Sequence, residues 1–423
     1  MNILKANREA LTELYQSLRK EYEEYKAQNL SLDLSRGKPD SLQLDLTQPM
    51  LDTPLTRDDV VNGGIDYRNY GVFEGVPAMK KLFSELFSID ENNIFIGGNS
   101  SLQLMYDTMM RCMMFGTADS PRPWVQVDKR KWLCVAPGYD RHFLITEKLG
   151  FELITIPMRA DGPDMDLVEE YVKDPSVLGI WCVPKYSNPT GNTYSDTVVR
   201  RLASMKCAAP DFRIFWDNAY GIHDIAEEGD HLMNIFDACK EYGTENRVFF
   251  YTSTSKITFP GAGVAMMAMS DDNLNHARSY LSASTIGYDK LNQLRHIRFL
   301  KNPEHVRAHM RRLGDMIKEK FDLTLSILDQ TLLDSGVATY TRPNGGYFIS
   351  LDVMPGTAKR VYDLMKEAGV TLTKVGATYP YGIDPEDKNL RLAPTYCTLA
   401  DLSLSCKILT VAVRMSAIEK LIF

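Results

Sequence analysis

At 423 residues the chain is long enough for two or three structural units, each with a core of its own. Its 48 basic and 55 acidic side chains give a net charge of −7, which argues against a nucleic-acid surface, and a composition that is 44% hydrophobic and 24% charged is ordinary for a globular protein. The seven cysteines are odd in number and never spaced Cys-x-x-Cys, so they read as buried reduced thiols of a cytoplasmic protein and not as a disulfide framework or zinc site.

The charged opening through residue 30 carries Leu4, Leu11, Leu14, Leu18, Tyr22 and Tyr25 at mostly three- and four-residue steps. That spacing predicts an amphipathic helix, not a signal peptide, and its apolar stripe must dock on a smaller C-terminal unit or on a partner subunit. No stretch approaches the roughly 18 apolar residues of a membrane span. Short apolar runs then alternate with helical patterns: strands are expected at 93–96, 132–136, 152–157, 179–183, 213–217, 248–252 and 264–268, and helices at 102–114, 140–149 and 195–205. This interleaving predicts an α/β fold with a mostly parallel sheet covered on both faces, whose ligands lie beyond the carboxyl ends of the strands. From Pro303 the texture changes to a long helical pattern at 304–331, strands at 337–341, 346–353, 370–375 and 389–393, and helices at 358–368 and the C-terminus. The expected organisation is a large unit over 51–302 and a smaller α+β unit over 303–423, which residues 1–50 join.

Chemistry-bearing residues gather at the expected strand ends. Lys256 closes Tyr251-Thr252-Ser253-Thr254-Ser255-Lys256, where desolvation would favour the neutral, nucleophilic amine, although a strand-end lysine taken alone is more often a solvated surface group. Asp217 ends Phe212-Arg213-Ile214-Phe215-Trp216 and needs a cationic or N–H partner; a helix cap or structural ion pair would serve equally well in isolation. Tyr220 follows three residues on. Asn188 opens Asn188-Pro189-Thr190-Gly191, a turn that alone could be a plain loop. The run Ile96-Gly97-Gly98-Asn99-Ser100-Ser101 is strand, glycine turn and helix start, a place where free N–H groups and hydroxyls receive an anion, although serine is also a common N-cap.

In order and spacing these pieces, together with Pro-x-Gly-Gly-Tyr-Phe at 343–348 and Asn389-Leu390-Arg391-Leu392, resemble the fold-type I pyridoxal-phosphate enzymes, and within them the class I aminotransferases. Ser35-Arg36-Gly37-Lys38-Pro39, Pro137-Gly138-Tyr139-Asp140-Arg141-His142-Phe143 and Ser255-Lys256-Ile257-Thr258 are most similar to the bacterial aspartate aminotransferase subgroup related to the aminotransferase domain of MocR-type regulators. The resemblance spans nearly the whole chain. It implies pyridoxal 5′-phosphate joined covalently to Lys256, which also moves the proton at the substrate Cα. Asp217 would pair with the ring nitrogen, Tyr220 and Asn188 with the phenolic oxygen, and Tyr139 would stack on the ring. Ser100, Ser101 and Ser253 would hold the phosphate. Arg391 would grip the substrate α-carboxylate, with Asn188 and Gly37 beside it. Tyr70 matches a tyrosine that reaches the phosphate from the neighbouring subunit, implying a homodimer with shared active sites. The substrates implied are an amino acid, aspartate first, and a 2-oxo acid, 2-oxoglutarate first.

Two departures stand out. The arginine usual eight residues after the lysine is Val264 here, and Lys290 is the candidate that replaces its charge. A dicarboxylic substrate needs a second cation, for which Arg36 is preferred over Lys38, Arg68 and Arg295. His305 and His309 stand four apart like metal ligands, but among Arg307, Arg311 and Arg312 they read as a charged surface face. A β-lyase or racemase on the same fold remains open, as does a cofactor-sensing domain of the MocR type, which the short segment before Ser35 disfavours.

Overall fold

The computed structural model describes residues 1–422. Its centre is an eight-stranded sheet made of β1 (Ile94–Ile96), β2 (Lys131–Ala136), β3 (Glu152–Arg159), β4 (Gly162–Pro163), β5 (Val177–Cys182), β6 (Arg213–Asp217), β7 (Val248–Ser253) and β8 (Ala265–Met269). They lie in the order β1-β8-β7-β6-β5-β2-β3-β4. The five strands from β7 to β3 run parallel, and antiparallel pairing appears only toward the edges, where β8 meets β7 and β1 and β4 meets β3. Every residue of β5, β6 and β7 is buried. Such strands read as unbroken apolar runs because helices cover both faces. The register sets Tyr251 of β7 beside Asp217 at the end of β6, so the carboxyl ends of these two strands open side by side.

Seven expected strands are present within two residues of their limits. The helices that matter for the site are α1 (Arg8–Lys26), α2 (Ser101–Phe115), α3 (Asp140–Lys148), α4 (Lys290–Leu300), α5 (Pro303–Leu332) and α6 (Leu399–Ile422). The apolar stripe of α1 buries Leu11, Leu18 and Tyr22, and the Tyr22 hydroxyl donates to Leu364 O at 2.8 Å, so the opening helix docks within its own chain. A second core gathers α1, α6 and a three-stranded antiparallel sheet of Ala338–Tyr340, Ile349–Val353 and Asn389–Leu392.

The long helix α5 belongs to both cores. Its 30 residues extend about 45 Å at 1.5 Å per residue. Val306, Met310 and Leu313 pack in the first core, and Ile317, Phe321, Leu328 and Leu332 in the second. His309 is not part of a charged surface. It is buried in α5 with Nε2 2.7 Å from Ile257 O, because the helix turns that face toward the large sheet. Among the described residues no group of side chains could hold a metal ion, all seven cysteines are unpaired, and no helix is long and apolar enough to cross a membrane.

Candidate active site

A cavity of about 340 Å³ opens at the carboxyl ends of β5, β6 and β7, where the two cores meet. It is lined by Lys256, Asp217, Tyr220, Asn188, Tyr139, Ser100, Ser101, Ser253, Gly37 and Arg391, together with Asp140, Arg141, Ser255 and Phe348. Residues separated by up to 354 positions (391 − 37) thus share one wall.

Asp217 is buried, and only one of its oxygens is accounted for. Oδ2 lies 3.0 Å from His142 Nε2, whereas Oδ1 is buried with no hydrogen-bond partner. His142 stands three residues after Tyr139 in the first turn of α3, where its type and spacing alone assign it no role. Its ring stacks on Trp181 with centroids 4.4 Å apart and meets Tyr139 edge-on at 4.9 Å. Two aromatic neighbours therefore fix the imidazole plane within reach of the Asp217 carboxylate.

Lys256 follows β7, and the cavity leaves it partly accessible. Burial around the amine lowers its pKa, more than offsetting the neighbouring Tyr139 and Asp217, which favour the ammonium. The amine sits over the rings of Tyr220, at 4.6 Å, and Tyr347, at 5.8 Å. Burial also pushes the Tyr139 phenol up to about 12 and raises that of Tyr220 well above the ordinary range, Asp217 adding to both, so both stay protonated donors at neutral pH.

The glycine turn before α2 brings backbone close to side chain: a Cβ on Gly97 would stand 2.4 Å from Leu104. Ser100 occupies the N-cap position of α2, yet its hydroxyl makes no capping bond, and Ser101 lines the cavity beside it. Ser253 donates to Ser255 Oγ at 3.0 Å. The Ser100 and Ser101 hydroxyls stand at a helix start that favours an anion, and Ser253 faces the same cavity from the end of β7. Val264 is buried core, its N–H donating to Thr254 Oγ1 at 2.9 Å, so it contributes no charge. Lys290 does not line the cavity. It is buried at the start of α4 and makes no hydrogen bond or ion pair among the described residues, while Asn292 Nδ2, one half-turn on, donates to Ala262 O and Gly263 O at 3.0 Å each.

Gly37 is required by close approach, since a Cβ there would lie 2.1 Å from Phe348 Cζ. Its neighbour Arg36 is not brought into the cavity. Arg36 is exposed and its Nε donates to Asp33 Oδ2 at 2.5 Å, because the chain at Gly37 turns that side chain outward. Lys38 points over the Tyr396 ring at 4.3 Å, Arg68 pairs with Asp66, and Arg295 lines a separate cavity. The cations on the wall are Lys256, Arg391 and Arg141, and Arg141 was missed because nothing in its sequence neighbourhood separates it from a surface helix residue. Tyr70 lies outside the cavity with 83% of its surface exposed.

A family model described as aspartate amino-transferase matches residues 6–423. The chain belongs to that family. This aminotransferase is 44% identical to an aspartate aminotransferase of Corynebacterium glutamicum over 96% of its own length and 94% of the relative's. It is similar throughout to the crystal structure of an aspartate transaminase from the same organism, with a TM-score of 0.97, 43% identity and 99% of each chain covered. A helix-turn-helix-type transcriptional regulator of Bacillus subtilis is 25% identical over 75% of this chain and 70% of the regulator, in line with the resemblance to MocR-type domains.

Proposed function

We propose that this aminotransferase uses pyridoxal 5′-phosphate in the cavity at Lys256 to move the amino group of aspartate to 2-oxoglutarate. The observation that carries the reading is the pairing, on one wall, of a buried carboxylate oxygen that lacks a donor with an amine held toward its neutral form. The donor set fits the cofactor. Asp217 Oδ1 would accept from a protonated pyridine nitrogen, and the hydroxyls of Ser100, whose N-cap bond is unmade, Ser101 and Ser253 would receive a phosphate, with Lys290, outside the cavity wall, as the cation that would reach it in place of the missing arginine. When bound, the cofactor supplies an aldehyde that condenses with amines and a ring that accepts the electron pair left as the substrate Cα–H bond breaks.

The chain's own groups do the rest. His142 orients Asp217, whose negative charge would keep the ring nitrogen protonated. Tyr220 and the Asn188 amide would donate to the phenolic oxygen, and Tyr139 would cover one face of the ring. Lys256, as a neutral amine, would take the proton from Cα and return it elsewhere on the conjugated system. Arg391 would hold the α-carboxylate and thereby aim the Cα–H bond. Arg141 would face the side-chain carboxylate in place of Arg36. Tyr70, exposed on this protomer, would complete the phosphate site of a partner subunit in a homodimer.

The deciding experiment is a half-reaction. Purified holoenzyme should lose its visible absorbance on adding aspartate, release oxaloacetate, and recover the absorbance with 2-oxoglutarate. Elimination or racemisation without oxaloacetate would move the chain to the β-lyase or racemase reading.

A further inference from the structure

Arg391 already has a carboxylate beside it. Its Nη1 stands 3.3 Å from Asp140 Oδ1 and 3.4 Å from Asn188 Oδ1, while Nε and Nη2 donate to Thr373 Oγ1 at 3.3 and 3.2 Å. The guanidinium also lies over the Phe348 ring at 5.0 Å. Every one of these contacts is longer than the roughly 2.7–2.9 Å of a strong charge-assisted hydrogen bond, and none is the two-pronged pairing a guanidinium makes with a well-placed carboxylate. Arg391 is therefore held in place without being saturated.

Burial explains why a carboxylate is there at all. The Arg391 side chain is only 11% exposed, and a guanidinium so enclosed needs a compensating charge. Asp140 is 33% exposed and sits in the first turn of α3, where the free N–H groups of the helix start also favour a negative charge. It thus has a second stable environment when it leaves Arg391. Asp140 lines the same cavity as Arg391 and Lys256, next to Tyr139 in sequence.

We propose that Asp140 is a resident internal carboxylate that occupies the Arg391 guanidinium between turnovers and exchanges with the α-carboxylate of the incoming amino or oxo acid. This rests on the reading of Arg391 as the α-carboxylate seat. Two consequences follow from the exchange. Asp140 keeps Arg391 neutralised and aimed when no substrate is present, and it competes equally against every carboxylate ligand, whatever the ligand's side chain. It therefore sets the overall affinity of the pocket and leaves selectivity to Arg141.

The test is calorimetric binding to the holoenzyme of two unreactive ligands, succinate and propionate, alongside KM for aspartate. Asp140→Asn keeps the side chain's shape and removes its charge. Both ligands should bind about threefold to tenfold more tightly, the factor expected on removing a partly exposed competing ion pair, and KM should fall by the same factor. Asp140→Ser, which retains a helix-start hydroxyl, should behave the same way and guards against a folding artefact of the amide. Unchanged or weaker binding in both variants would overturn the proposal, the second outcome making Asp140 a fixed support for Arg391. Arg391→Lys separates the two ideas. If it weakens both ligands tenfold or more, the carboxylate seat stands whatever Asp140 does; if it leaves them unchanged, the seat itself is wrong. In an Arg391→Met background, which removes the cation that Asp140 occupies, the gain from Asp140→Asn should vanish, and a gain that persists would reduce Asp140 to a general field effect and refute exchange.

Discussion

Strand β6 carries a buried charge at each end, and the two ends are treated in opposite ways. At its amino end Arg213 is fully buried and almost saturated: it donates to Phe212 O, Thr117 Oγ1 and Asn273 Oδ1 and pairs with Asp119, leaving only Nε unpartnered. Nearby Asp211 accepts from Ser120 Oγ at 2.6 Å and Trp124 Nε1 at 2.9 Å. At the carboxyl end Asp217 keeps a buried oxygen without a donor, next to an amine pushed toward neutrality. The larger cavity, about 810 Å³, lies at the Arg213 end, and the 340 Å³ cavity lies at Asp217. Size is thus a poor guide to the site in this molecule; uncompensated buried charge is the better one.

Substitutions at the two ends should give opposite readouts. Lys256→Ala removes the amine proposed as covalent anchor and proton carrier, and should lower turnover by about 10⁴-fold or more with little change in Tm. Mass spectrometry of the borohydride-reduced protein should show the cofactor adduct only when Lys256 is present. Asp217→Asn should lower kcat by about 10²- to 10³-fold while leaving or raising stability, since a buried charge becomes a neutral amide. Arg213→Met should do the reverse: a loss of about 3 kcal/mol in denaturant unfolding, with kcat per folded molecule unchanged. Equal activity losses at both ends would erase the distinction between them.

The pH dependence of stability sharpens the same contrast. His223, in contact with Tyr220 and Tyr347 behind the site, is driven by burial to about 3, with the Lys256 charge acting in the same direction; His296 is driven by burial to about 4. Both folded values lie below the unfolded value of 6.5, so in that window the unfolded chain binds more protons than the native one. Stability is full above 6.5 and falls as pH drops from there toward 4 and then 3. For His223 alone the loss is up to about 5 kcal/mol at the acid limit. His223→Gln should flatten the fall between pH 6.5 and 4 in urea titrations, and an unaltered slope would show that the ring already titrates freely in the native state.

Much of this site was legible because its residues end apolar runs. Asp217, Lys256 and Asn188 each terminate or follow a strand whose continuous hydrophobicity is a consequence of burial on both faces, and the parallel sheet then brings the ends together. The helices at Pro77–Phe87, Ile235–Tyr242, Asp271–Leu281 and Lys290–Leu300 were not legible: short amphipathic turns with mixed charge look the same as loops until they have a sheet to cover. His309 misled for a related reason, since three arginines nearby in sequence say nothing of the single face that α5 buries. Arg36 misled because one glycine turn decides the side on which a neighbouring side chain emerges, and that turn is fixed by Phe348, more than 300 positions away (348 − 37 = 311).

The smallest predicted effect bears on selectivity. Arg141 is the only guanidinium besides Arg391 on the cavity wall, and among the described residues it makes no ion pair or side-chain hydrogen bond. It stands in the first turn of α3, one residue after Asp140, so the two side chains leave the helix in different directions. A partly solvated arginine facing one carboxylate is worth about 1–2 kcal/mol, which corresponds to roughly tenfold in kcat/KM. Arg141→Gln should therefore lower kcat/KM for aspartate by about tenfold and leave that for alanine within about twofold, whereas Asp140→Asn should shift both alike. If Arg141→Gln lowers the two substrates equally, Arg141 serves the fold of α3 and the second carboxylate is read by a side chain from elsewhere, with the exposed face around Tyr70 the next place to mutate.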